Sequence, residues 1–157
     1  EEVIKKTDES AANSLLYTLA MGSSYFNSAA HNMNIPINDK LFVLQSEIIE
    51  EETKKYPCIF VGRCADFILR EHKKLVREFI YASPEKRIDR IASANEVDPS
   101  EAKSLMNKID KTRANYYNYY TSQKWGKSEN YDLMIDTTKI GVEGAVELIE
   151  KYISLLK

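Results

Sequence analysis

Glycine is scarce in this sequence: five in 157 residues, at positions 22, 62, 126, 141 and 144. No pair of them frames Gly-x-x-x-x-Gly-Lys-Ser/Thr or a looser glycine-rich turn between a strand and a helix. These residues therefore hold no backbone cradle of the kind that wraps phosphates with its N–H groups. Long hydrophobic runs are also missing: none approaches the ~18 residues of a membrane span, and the opening EEVIKK shows no signal-peptide pattern. Cysteine is limited to Cys58 and Cys64, neither of which has zinc-like spacing to His31 or His72. Both cysteines are expected to be reduced thiols in or near the core, and a cytoplasmic location follows as the default. Neither sign of charge dominates, with 22 Lys and Arg against 24 Asp and Glu, a net charge of -2 and a pI near 5.8. That balance gives no bulk electrostatic case for nucleic acid, so an anionic ligand needs a local basic pocket.

What is present reads as one soluble domain, with 43% hydrophobic and 29% charged residues. Residues 1–21 carry helical spacing, and the small, polar stretch 22–36 reads as a loop. Asn38 is placed to cap a second helix containing Leu41, Leu44, Ile48 and Ile49, ending near Pro57. CIFV, residues 58–61, reads as a short buried strand leading into Gly62, Arg63 and a helix over about 65–71. A second strand is expected within 75–82. Ser83 and Pro84 then cap and open a helix, and Asp98, Pro99 and Glu101 open another. A third strand falls within 131–137. The closing helix is expected to be amphipathic, with Val142, Val146, Ile149, Ile153 and Leu156 on its apolar side. Strand and helix alternate from Cys58 onward, which argues for an α/β fold with a parallel sheet covered by helices.

In such a sheet ligands gather at the carboxyl ends of the strands. Gly62 permits a tight turn there, and Arg63 brings a fork suited to phosphate or carboxylate, unless it simply pairs with Asp66. Arg87 and Arg90 lie three apart on one helix face near the same edge; the plainer account is surface pairing with Glu85 or Asp89. Asp110 and Arg113 repeat the spacing, as an ordinary surface ion pair would. Taken together, these arginines and a carboxylate are candidates to converge on polyphosphate. The run NYYNYYTSQKW mixes tyrosines with Lys111, Arg113 and Lys124, but Tyr116 and Tyr120 sit one turn apart and are expected to pack. His31 and His72 offer neither a triad nor a metal site.

The segments IFVGRCADFILR, REFIYASPEKRIDRI and NKIDKTRANYYNYYTSQKWGKSENYDLMIDTTKIGVEGAVELI together resemble the cytidylate kinase-like family of P-loop nucleoside monophosphate kinases, over about residues 38–157. The resemblance implies a three-layer P-loop kinase-like fold with a helical lid at about 84–125. It also implies ATP-dependent phosphorylation of CMP or dCMP with Mg2+. Arg63, with Asp66 nearby, would meet the acceptor nucleotide. Arg87 and Arg90 would meet ATP and its phosphates, and Asp110 and Arg113 the acceptor and the moving phosphoryl group. Cys64 stands where the family has aspartate. Nucleotides are the implied partners, nucleic acid and membrane are not, and a homodimer stays open. The family's first strand is central in its sheet and carries the phosphate loop, and neither is legible before residue 57. The expectation is an N-terminally incomplete domain whose catalysis requires that upstream loop. The alternatives are a non-catalytic nucleotide-binding or regulatory protein, or a helical interaction module using the tyrosine-rich arm.

Overall fold

The computed structural model describes residues 37–156, so the helix expected over 1–21, the loop over 22–36 and His31 lie outside the described residues. The chain divides into two compact units, residues 1–72 and 73–157, each described by itself.

In the first unit, helix α1 (Ile37–Lys55) packs against a single-turn helix α2 (Ala65–Ile68). Leu41, Gln45 and Ile49, at four-residue intervals, are the buried positions of α1, and Cys64, Ala65 and Leu69 are buried around α2. Asn38 lies inside α1 rather than capping it, because the helix already includes Ile37. The chain turns after Ile68 instead of remaining helical to Glu71, with the His72 N–H donating back to the Leu69 carbonyl at 2.7 Å.

The expected strand at 58–61 does not form. Ile59 and Val61 are 95% and 91% exposed, and Cys58 is an exposed thiol rather than a core one. A short apolar run gains from extension only when a neighbouring strand takes its N–H and C=O groups. Among the described residues no strand pairs with it.

The second unit is built on strands β1 (Glu78–Tyr81) and β2 (Leu133–Asp136), paired in parallel with Ile80 opposite Ile135 and Tyr81 opposite Asp136. The expected strands at 75–82 and 131–137 are thus present, shortened at both ends. Between them run helix α3 (Pro84–Asn95) and helix α4 (Pro99–Thr121), which pack on one another across a connection of residues 96–98. Both open as the sequence dictates. The Ser83 hydroxyl accepts from the Lys86 N–H, and the Asp98 carboxylate accepts from the N–H groups of Ser100 and Glu101, with proline first in each helix. Ala102, Met106, Tyr117 and Thr121 are buried along α4.

Helix α5 (Thr137–Leu155) packs on both strands. Gly141, where φ is +70°, breaks it into a first turn over 137–140 and a continuous helix from Val142, the first residue of the expected amphipathic helix. Position 141 suits only a residue without a Cβ. Val142, Val146, Ile153 and Leu156 of the expected apolar stripe are 47–64% exposed, and Ala145 is the buried residue instead. Periodicity identified the helix; it did not show which part of it the two short strands can cover. Among the described residues no helix is long and apolar enough to cross a membrane.

The start of the parallel pair is fixed by an arginine-carboxylate clasp. Asp132 accepts from Arg77 Nη2 at 2.6 Å, from Nε at 3.1 Å and from the Arg77 backbone N–H at 2.9 Å. The Arg77 carbonyl in return accepts from the N–H groups of Asp132 and Leu133. The hydrogen bond from the Arg77 side chain holds the Asp132 carboxyl below its ordinary value near 3.8. Asp132→Ala is expected to cost about 1–2 kcal/mol, toward the lower end for charged hydrogen bonds because water still reaches the pair. Since folding lowers this group's pKa, the stabilisation is present above the ordinary value and disappears as pH falls through the folded one. Thermal unfolding of both proteins from about pH 6 to about pH 3 checks this: the gap in Tm should narrow toward the acid end.

Candidate functional site

In the first unit, the stretch that carries Arg63 is a left-handed turn. Gly62, Arg63 and Cys64 have φ of 72°, 57° and 56° in succession. Glycine adopts this region freely, whereas each of the other two residues costs about 1–2 kcal/mol there. The turn is locked by its own hydrogen bonds: Ala65 N–H donates to the Gly62 carbonyl at 3.2 Å, and the N–H groups of Phe67 and Ile68 donate to the Cys64 carbonyl. Cys64 is buried beneath it, as expected of that thiol. Arg63 is half-buried, and Asp66 is half-buried in the first turn of α2.

In the second unit, the carboxyl ends of β1 and β2 are bound together by hydroxyl groups that no motif singled out. Thr137 Oγ1 donates to the Tyr81 carbonyl at 3.0 Å, and the Ser83 N–H donates to Thr138 Oγ1 at 2.7 Å. Asp136 caps α5 by accepting from the Thr138 N–H and from its hydroxyl. The hydroxyl contact is the first cause of the lowered pKa of the Asp136 carboxyl. The N-termini of α3 and α5 consequently open side by side at the carboxyl edge of the parallel pair. The sequence signal was IDTT at the end of a strand; its 55-residue link to Ser83 left no local trace.

Arg87 lies one turn into α3, its N–H bonded to the Ser83 carbonyl. Its side chain does not pair with Glu85 or Asp89. Instead Nη1 donates to Asp110 Oδ2 at 2.8 Å and Nη2 donates to Asp110 Oδ1 at 2.7 Å, a two-pronged bond across 23 residues from α3 to α4. The bond to Asp110 raises the Arg87 pKa, so this guanidinium is charged at every working pH. Two residues predicted separately as site members therefore meet. Arg90 follows on α3 and Arg113 on α4, both exposed.

The tyrosines of α4 pack as expected, with Tyr116 and Tyr120 rings 4.8 Å apart. Beyond the helix, Phe79 of β1 meets Trp125 at 5.3 Å edge-on and Tyr131 at 5.0 Å. That cluster anchors the return from α4 to the sheet. Among the described residues no group of three His, Cys, Asp or Glu side chains is placed to hold a metal ion.

The chain is similar to an uncharacterized protein of Eubacterium ventriosum of known crystal structure, at 31% identity and a TM-score of 0.73, covering 76% of each chain. No curated protein matches it. A model of the cytidylate kinase-like family matches residues 1–139, which points to a kinase-like, nucleotide-related function. The chain belongs to the cytidylate kinase-like family.

Proposed function

We propose that this protein is a nucleoside monophosphate kinase-like phosphotransferase that moves the γ-phosphoryl group of ATP to CMP or dCMP. The observation that carries the reading is the Arg87–Asp110 pair, which joins two helices one turn from the carboxyl end of a parallel strand pair. Arg87 and Arg90 bind the phosphates of ATP, and Arg113 neutralises charge on the moving group. Arg63 and Asp66 bind the acceptor, and Asp110 contributes from α4. Phosphoryl transfer asks the protein for little covalent work; it asks for alignment and for cations where negative charge spreads in the transition state. Arginines on the two helices also help keep water from taking the phosphoryl group.

Mg2+ fits this reading without a cage of protein carboxylates, because magnesium in kinases is held largely by the nucleotide phosphates themselves. When bound it would neutralise phosphate charge; the arginines do the orienting. The reaction also needs a phosphate cradle, which the 157 residues do not contain. On this reading transfer depends on an upstream phosphate loop, and the second reading is a non-catalytic nucleotide-binding or regulatory protein of the same family.

Purified protein given ATP, Mg2+ and CMP, dCMP, UMP or AMP in turn is expected to release ADP fastest with CMP or dCMP. Tight binding of ATP and CMP with no ADP release would replace the first reading by the second. No binding of either nucleotide would remove both.

A further inference from the structure

We propose that Asp110 is a resident competitor for phosphate at Arg87: the paired state is the resting state, and a di- or triphosphate chain takes the carboxylate's place on the guanidinium. This rests on the assignment of Arg87 to phosphate binding made above.

The geometry is that of a substitute ligand. Both Nη atoms of Arg87 are turned on the two oxygens of one carboxylate, at 2.8 and 2.7 Å. This is the same two-pronged edge that a guanidinium offers to a phosphate, and one edge serves one anion at a time. A polyphosphate brings more charge and more acceptor oxygens than a single carboxylate. The pair is also reachable, with 27% and 26% of its side-chain surface still exposed. An ion pair so open to water is weakly held and exchanges, whereas a dry one resists the loss of either partner.

The exchange has a mechanical result. The pair spans α3 and α4. Once phosphate sits on Arg87, the released Asp110 carboxylate faces an anion, and the repulsion drives α4 away from α3 at that turn. Asp110 thus sets a threshold on phosphate binding and reports occupancy to the second helix.

Calorimetric titration of the full chain with inorganic tripolyphosphate tests this. Asp110→Asn should bind about fivefold more tightly than the unmutated protein, the yield of removing a modest competing ion pair. Arg87→Ala in the Asp110→Asn background should erase the gain. Unchanged or weaker binding by Asp110→Asn, or no binding by either protein, overturns the proposal. Should that variant fail to fold, the unmutated protein still decides. The 13C resonance of the Asp110 carboxyl must move as tripolyphosphate saturates, and a fixed resonance overturns the exchange. A fivefold gain without CMP-dependent ADP release would remove the kinase reading and leave this one standing. ADP release with no gain would do the reverse.

Discussion

Arg87→Ala is expected to lower kcat for transfer to CMP by about 10²- to 10³-fold, the range for removing one donor aimed at transition-state charge. The KM for CMP should move by less than about threefold, because in the proposed reaction the lost contact goes to the ATP phosphates and strengthens as charge develops. The variant also leaves Asp110 without its two-pronged partner. Water covers part of that carboxylate, so the accompanying loss of stability is small, about 1 kcal/mol. Steady-state kinetics and thermal unfolding on the same samples separate the two effects. A fall in kcat matched by a fall in folded fraction would mean that Arg87 only ties α3 to α4. Lysine at the same position restores the charge but not the fork, and should recover little of the rate.

The second large effect is expected in the acceptor half-reaction. Arg63→Ala should reduce kcat/KM for CMP by about 10²-fold, as loss of a charge-assisted two-pronged bond does, while the KM for ATP stays within about twofold. The backbone argues that this is a ligand effect. Alanine meets the same left-handed φ of 57° as arginine does, so the turn from Gly62 to Cys64 keeps its strain and its hydrogen bonds. Stability should therefore change little. Equal turnover of CMP by the variant would end the role assigned to Arg63.

Local chemistry was legible in the residues and long-range pairing was not. Ser83-Pro84 and Asp98-Pro99 announced two helices correctly, since a cap and its helix lie within four residues of one another. The two paired strands were legible because apolar β-formers sat between turn residues, and Tyr116 and Tyr120 because helical spacing alone brings them together. The run at 58–61, CIFV, is at least as apolar as the strands EFIY and LMID, but whether such a run pairs depends on a neighbour outside its own window. The closing helix failed in the same way: its apolar stripe was read properly, while burial depended on the size of the surface beneath it. Arg63, Asp66, Arg87, Arg90, Asp110 and Arg113 became candidates from charge spacing and resemblance. That Arg87 would choose Asp110 over Glu85 or Asp89 was hidden, because a 23-residue separation carries no periodic signal. The Arg77–Asp132 clasp, 55 residues apart, had none either.

The bare run CIFV bears on how the molecule behaves in a crowd of its own kind. Three residues that favour β structure beside a cysteine, uncharged and with Ile59 and Val61 open to solvent, make a template on which another chain can add an intermolecular strand. The residues at its borders resist that: Pro57 removes a ladder donor just before the run, and Arg63 sets a charge just after it. A charge at Arg63 therefore works against strand addition there whatever else the side chain binds.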